Sequence, residues 1–278
     1  MISVIVPVLD TMPWLEEQLR ALAAQECDEE WEVVLADNGS IDGSAEFCDA
    51  WAAAHPGFHF VDASGARGTP GARNAGVLAA SGDLLAFCDA DDVVQAGWIA
   101  GCAAALQDAD VIGGGFDLWT LNGTPPAPVT AVSVGQLGFL PAGIGANLAM
   151  RRSAFEAVGG FSEDVQPGED IDLCWRLQLE GFRFAIATDA VVSRRSRSGL
   201  GNIYRQAVSY GRCGPALYRR YRVHGARPDV RGALKSWAWL VCSLPWLFQR
   251  TRRIEWARAV GTRLGRISGS LSERTFFP

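Results

Sequence analysis

Three carboxylates crowd the end of one apolar run, in Phe87-Cys-Asp-Ala-Asp-Asp-Val-Val-Gln95. Leu84 to Cys88 reads as a short buried strand, so Asp89, Asp91 and Asp92 fall where it ends. Like charges packed there repel one another, and a hard divalent cation with oxygen ligands would relieve them. Mg2+ or Mn2+ held by one or two carboxylates usually completes its shell with substrate phosphates. The cluster therefore points to chemistry on a nucleotide diphosphate; the competing reading is an idle, solvated acidic loop.

Other stretches carry chemistry of their own. Asp37 closes an apolar run beside Asn38, and a fixed carboxylate there can accept the imide N–H of uracil, which cytosine lacks. Asp37-Asn-Gly-Ser is also an ordinary turn, with Ser40 and Asp42 as turn and cap residues. Gly71-Ala-Arg-Asn-Ala-Gly76 reads as a glycine-rich turn at a helix start, where Arg73 and the amide dipoles would favour an anion. The other reading is a helix cap with Arg73 in a surface ion pair. Gly168-Glu-Asp-Ile-Asp-Leu173 opens a helix and puts Asp170 in its first turn. Asn147 could hydrogen-bond sugar hydroxyls or serve as a buried structural amide.

The elements that must position these groups alternate. Ser3–Val8 reads as an apolar, β-branched strand covered on both faces, and Glu32–Ala36 and Phe58–Val61 as a second and a third strand, with helices at 15–22 and 45–54 between them. Such alternation argues for a mostly parallel, doubly wound α/β sheet whose ligands gather at the carboxyl ends of its strands. Asp10, Asp37 and Asp89 all fall at such ends.

The order Val-Pro-Val, Asp37-Asn-Gly-Ser-Ile-Asp, Gly71-Ala-Arg-Asn-Ala-Gly, Asp89-Ala-Asp-Asp and Gly168-Glu-Asp-Ile-Asp-Leu resembles family 2 inverting glycosyltransferases of GT-A fold, over roughly residues 1 to 200. The resemblance implies a GT-A, Rossmann-like catalytic domain over 1–200 and a helical extension over 201–278. It implies transfer of a sugar, of the hexosyltransferase kind, from a nucleotide diphosphate donor to an acceptor hydroxyl, with Asp37 favouring a UDP-sugar. Pro7, Asp10, Asp37, Asn38, Arg73, Asn74 and Asp89 would face the donor nucleotide, and Asp91 with Asp89 the metal, Mn2+ or Mg2+. Asn147, Glu169 and Asp92 would lie near donor sugar or acceptor, and Asp170 would be the general base. Many members place a histidine after the strand that follows the Glu-Asp helix, where it completes the metal shell. Here Ala190-Val-Val-Ser-Arg-Arg-Ser-Arg197 has Ser193 instead, so Ser193 or water would replace it, or Arg194, Arg195 and Arg197 would neutralise the diphosphate. Two alternatives are a non-catalytic sugar-nucleotide-binding relative and a sugar-1-phosphate nucleotidyltransferase. The second usually needs a glycine-rich, basic loop after its first strand, where this chain has Val8-Leu-Asp10.

Composition fits that picture. The 278 residues are 49% hydrophobic, enough for one large domain with an appendage. The seven cysteines form no Cys-x-x-Cys pair, and none of His55, His59 and His224 lies near a cysteine pair, which argues against zinc and for a reduced, cytoplasmic setting. No secretory signal is visible in residues 1–30. Residues 122–128 read as an exposed loop or hairpin end. Residues 183–278 hold 19 of the 25 basic residues and four of the 31 acidic ones, giving formal charges of about +15 there and −21 in the remainder. No recognition motif accompanies this charge, so nucleic acid is not expected. Leu234, Trp237, Val241, Leu244 and Phe248 recur at helical spacing, with arginines at 250, 252 and 253 following. The stretch 234–253 would lie in an anionic membrane interface on the cytoplasmic face, or pack against the catalytic domain or a second subunit. The acceptor could be a glycan, a lipid-linked sugar or a small molecule.

Overall fold

The computed structural model describes residues 1–123, 129–131 and 136–278. The expected loop at 122–128 therefore lies largely outside the described residues. The chain divides into two compact units.

The first unit (Met1–Val134, Pro141–Glu163, Glu169–Ser196) is built on one sheet. In chain order its elements are β1 (Ile2–Val8), α1 (Leu15–Ala23), β2 (Trp31–Asp37), α2 (Ser44–Ala54), β3 (Phe58–Asp62), α3 (Gly68–Ala79) and β4 (Leu84–Cys88). There follow β5 (Val93–Val94), α4 (Trp98–Asp108), β6 (Val111–Asp117), β7 (Thr130–Ala131), β8 (Asn147–Arg151), α5 (Arg152–Ala157), α6 (Glu169–Leu179) and β9 (Phe184–Ser193). The strands lie in the order β3-β2-β1-β4-β8-β6-β9-β5, with β7 on β6.

From β3 to β4 every pairing is parallel; β1 and β2 are apolar, β-branched runs buried along almost their whole length, as two-sided burial requires, whereas the edge strand β3 is only partly buried. β8 then runs antiparallel to both β4 and β6, so the whole sheet is mixed. β1 lies between β2 and β4, the switch point beside which open α/β sheets bind ligands. Leu15, Leu19 and Leu22 of α1 are fully buried with Val4, Val6, Val8, Leu35 and Trp98 in the core. At Gly76, an added Cβ would meet Ile5, so the absent side chain lets α3 lie close on β1.

The second unit (Gly135–Leu140, Asp164–Gly168, Arg197–Pro278) contains α7 (Leu200–Tyr221), α8 (Val230–Cys242) and α9 (Arg250–Ser272). α7 and α9 approach through small residues: a Cβ at Gly261 would meet Ala207 and Tyr204, and one at Gly211 would meet Thr262. Asp229 caps α8 by accepting the Gly232 amide at 2.8 Å. The helical spacing read from 234 to 248 is not one helix. α8 stops at Cys242 and a single 3₁₀ turn, Leu244–Trp246, follows, because Pro245 has no N–H to continue the ladder.

Candidate active site

The loops after β1 and β2 are clipped together. Asp10 accepts the amide of Ile41 at 2.8 Å and its own amide donates to Ser40, while Asp42 accepts the amides of Met12 and Ser44. Asp10 is exposed with φ 49°, a left-handed conformation that aspartate tolerates. Pro7 sits one residue before the end of β1, opposite Ala36.

Asp37 ends β2 and is almost wholly buried. Its Oδ2 accepts the amides of Gly39 and Ser40 at 2.9 and 3.0 Å, whereas its Oδ1 is buried with no hydrogen-bond partner among the described residues. Such an atom is rare in a folded protein and suits a ligand donor reached by a small turn of the carboxylate. Burial, then the Asp37 charge, push the neighbouring Cys48 thiol up to about 12, so Cys48 stays protonated. Asn38 faces elsewhere: its Nδ2 donates to the carbonyls of Ala63 and Ala66 and holds the loop after β3.

Gly71–Gly76 does not precede a helix; it lies within α3, which starts at Gly68. Arg73 is consequently neither at a helix start nor in a surface ion pair. It is 3% exposed, with Nη2 donating to Asp89 Oδ1 at 2.9 Å and Nη1 to Glu169 Oε1 at 3.0 Å. Its guanidinium also lies over the Phe161 ring, 5.3 Å from the centroid. Burial alone would lower its pKa, but the carboxylates of Asp89, Glu169 and Asp170 outweigh that and the net direction is upward. Asn74, next to it, makes a reciprocal pair with the backbone of Phe161, both bonds at 2.9 Å.

Asp89, Asp91 and Asp92 offer oxygens that all lie within 4.8 Å of one another. Asp92 is 3% exposed and accepts the Arg195 amide at 2.8 Å. Burial, then the Asp89 charge, with Asp91 adding, push its carboxyl up to about 8 against the Arg195 amide and the Arg194 charge. A site whose oxygens repel one another this strongly suits a hard divalent cation, so the residues present fit Mn2+ or Mg2+. Arg195 braces this loop: its Nε donates to the Asp91 carbonyl and its Nη2 to Glu17, with Trp14 under the guanidinium. Arg194 lies over Phe116, and Arg197 belongs to the second unit.

Glu169 and Asp170 open α6. Burial, then Asp170, raise Glu169 against the pull of Arg73. Asp170 is half-buried; its Oδ2 accepts the Gly145 amide at 2.9 Å and its Oδ1 the Ile171 amide at 2.8 Å. Each oxygen keeps a further lone pair, so the carboxylate is held in place without being saturated.

Two readings change. Asn147 is fully buried; its Oδ1 accepts Trp98 Nε1 at 2.9 Å and its Nδ2 donates to the carbonyls of Gly115 and Ala190. Its amide thus ties β8, β6 and β9 together and is structural rather than sugar-binding, and a Cβ at Gly114 would collide with it. Ser193 is likewise engaged: its Oγ donates to Asp117 Oδ2 at 3.0 Å and accepts from Gln95 Nε2 at 3.1 Å.

Asp117 and Gln18 escaped the sequence reading. Asp117 ends β6, and its Oδ1 accepts the amides of Trp119 and Thr120. Burial would raise its pKa, but the hydrogen bonds from Thr120, Trp119 and Ser193 hold it below the ordinary value. Gln18 donates to the Asp89 carbonyl and accepts the Val94 amide, bracing the acidic loop from α1.

Comparison with known proteins identifies the family and the fold. Residues 3–159 match the model of Glycosyl transferase family 2, and residues 85–262 that of Glycosyl transferase family group 2. The chain is 27% identical over 259 residues to the pre-mycofactocin glycosyltransferase of Mycobacterium tuberculosis, covering 85% of this chain and 52% of that protein. It thus spans about half the length of that relative. It is 26% identical over 198 residues to glycosyltransferase AglE of Haloferax volcanii, covering 68% of this chain and 65% of the other. Among solved structures, the mannosyltransferase PcManGT from Pyrobaculum calidifontis, in complex with GDP-Man and Mn2+, superposes with a TM-score of 0.72 at 20% identity, covering 98% of this chain and 87% of that one. S. aureus TarS with UDP-GlcNAc gives a TM-score of 0.56 at 17% identity, covering 100% and 93%. Those likenesses show the GT-A fold. On its sequence match, the chain belongs to glycosyltransferase family 2.

Proposed function

We propose that this chain transfers a sugar from a nucleotide diphosphate donor, a UDP-sugar, to an acceptor hydroxyl with inversion at the anomeric carbon. The observation that carries this reading is the Arg73 bridge, which joins Asp89 of the acidic cluster to Glu169, the neighbour of Asp170. Asp170 would take the proton from the acceptor hydroxyl, whose oxygen forms the new bond to the anomeric carbon. The bond from that carbon to the diphosphate oxygen breaks on the opposite side, and the nucleoside diphosphate leaves with the electron pair. Asp89, Asp91 and Asp92 would hold Mn2+ or Mg2+, which supplies charge to stabilise the leaving diphosphate. Arg195 is committed to this loop and to Glu17, which favours a bracing role over direct phosphate contact. The chemistry would reside in residues 1–200, and 201–278 would form an extension.

The donor assignment rests on Asp37 Oδ1, the buried acceptor without a partner. The acceptor would be a glycan, lipid-linked or small-molecule hydroxyl. Incubation with UDP-, GDP- and dTDP-sugars in Mn2+, reading the released nucleotide, tests the proposal. Release of UDP supports it, release of GDP alone would keep glycosyl transfer and overturn the donor, and no release from any donor with a panel of acceptors would overturn the reaction.

A further inference from the structure

One strip of the second unit carries exposed apolar side chains. On α8, Val230, Leu234, Trp237 and Val241 follow the i, i+4, i+7, i+11 spacing that gathers side chains within an arc of about 60°. Leu234 and Val241 are 65% and 66% exposed, while Ala233 and Leu240, on the flank of the same helix, are buried. The strip continues past the helix end through exposed Leu244, Trp246 and Phe248, the last 76% exposed. A patch of this kind on a well-packed protein marks a contact surface.

Charge identifies what covers it. Between Asp229 and Glu255 the chain has five cations, Arg231, Lys235, Arg250, Arg252 and Arg253, and no carboxylate. All five are exposed, and among the described residues Arg252 alone of them has an ion-pair partner, Glu255 at 3.0 Å. Leu, Trp and Phe bordered by cations match a bilayer surface, where indole rings settle at headgroup depth and anionic lipids attract the basic side chains. A second copy of the chain is a poorer match, since a two-fold contact would bring the same cations face to face. α8 is 13 residues long, and no helix among the described residues is long and apolar enough to cross a membrane, so the segment fits a position in the membrane plane.

We propose that residues 230–253 form a surface that binds anionic lipid bilayers, with the Leu234–Trp237–Val241 strip and Trp246–Phe248 entering the headgroup layer and the flanking cations meeting lipid phosphates. This surface does not depend on the reaction proposed above, and its test needs no substrate. The 278-residue chain is floated with vesicles of phosphatidylcholine, and with vesicles of equal parts phosphatidylcholine and phosphatidylglycerol. The chain should float with the mixed vesicles, remain behind with the neutral ones, and be released by high salt. Leu234→Ser with Val241→Ser should weaken partitioning by about tenfold or more. Arg250→Gln with Arg253→Gln should weaken it by about tenfold on the mixed vesicles. Both pairs are exposed, so thermal unfolding should be unchanged; if the serine pair misfolds, the glutamine pair alone decides. No flotation with mixed vesicles, or equal flotation with both kinds, overturns the proposal. So does a dimer in light scattering that the serine pair dissociates, which would assign the strip to a second copy.

Discussion

Arg73 and Glu169, 96 positions apart in the chain, meet in a buried ion pair at 3.0 Å. Because the same guanidinium also binds Asp89 at 2.9 Å, α3 fastens the end of β4 to the start of α6. Removing the cation would leave Glu169 and Asp89 facing each other with Asp170 close by. Arg73→Met should therefore cost about 3–5 kcal/mol of stability, the usual penalty for breaking a buried pair from one side. Urea unfolding measures it; a loss below about 1 kcal/mol would mean that the bridge does not hold these elements together.

Asn147→Leu should also destabilise, by roughly 3 kcal/mol or more, since it strands the Trp98 indole N–H and the carbonyls of Gly115 and Ala190. The folded fraction should bind UDP as before, by calorimetry. Unchanged stability with lost affinity for a UDP-sugar would return Asn147 to the sugar.

These two residues mark where the sequence was readable and where it was not. β1, β2 and β4 were plain because each is a short apolar run ending on an aspartate, and that pattern depends only on neighbours in the chain. The partner of Arg73 lies on α6, far along the sequence, so no local pattern distinguished a buried bridge from a phosphate clamp or a surface pair. The start of α3 was misplaced because Gly68, Pro70 and Gly71 look like turn residues, yet the helix begins among them. Asn147 stays open in the sequence because a buried amide and a ligand-binding amide are the same residue type; its three partners come from β6, β9 and α4. Asp117 was within reach, since Val111–Asp117 is another apolar run closing on an aspartate. Gln18, a buried polar group beside Leu15, Leu19 and Leu22, offered a weaker signal of the same kind.

The acidic cluster predicts how pH and cation interact. Burial, then the Asp89 charge, push the Asp92 carboxyl up to about 8, against an ordinary value of 3.8. The folded state then binds more protons than the unfolded chain between those values. This group's contribution to stability is therefore complete below the lower value and is lost as pH rises through the upper one. A cation competes with that proton, so Mn2+ should raise Tm slightly near about pH 6 and clearly more near about pH 8. An equal rise at both would show that Asp92 does not sense the ion.

With Ser193 engaged by Asp117 and Gln95, the proposed cation would be held by the carboxylates and by donor phosphates. Mn2+ should bind weakly to the protein alone and more tightly once UDP is present, by calorimetric titration. Equal affinity in both titrations would indicate a site completed by protein ligands.

On the proposed uracil reading, Asp37→Ala should weaken UDP binding by about 1–3 kcal/mol, the range for losing a buried hydrogen-bond partner. GDP affinity should change less. Tighter GDP than UDP binding by the unaltered protein, or indifference of UDP to the substitution, would contradict the uracil reading.

Turnover of Asp170→Asn tests the central claim most directly. Asparagine keeps the shape and can still accept the Gly145 amide, but it cannot take the acceptor's proton. With a donor that the unaltered chain uses, turnover should fall by at least about a hundredfold while donor affinity stays nearly constant. Near-normal turnover in Asp170→Asn would contradict the account and move the base to another carboxylate, with Glu169 first in line.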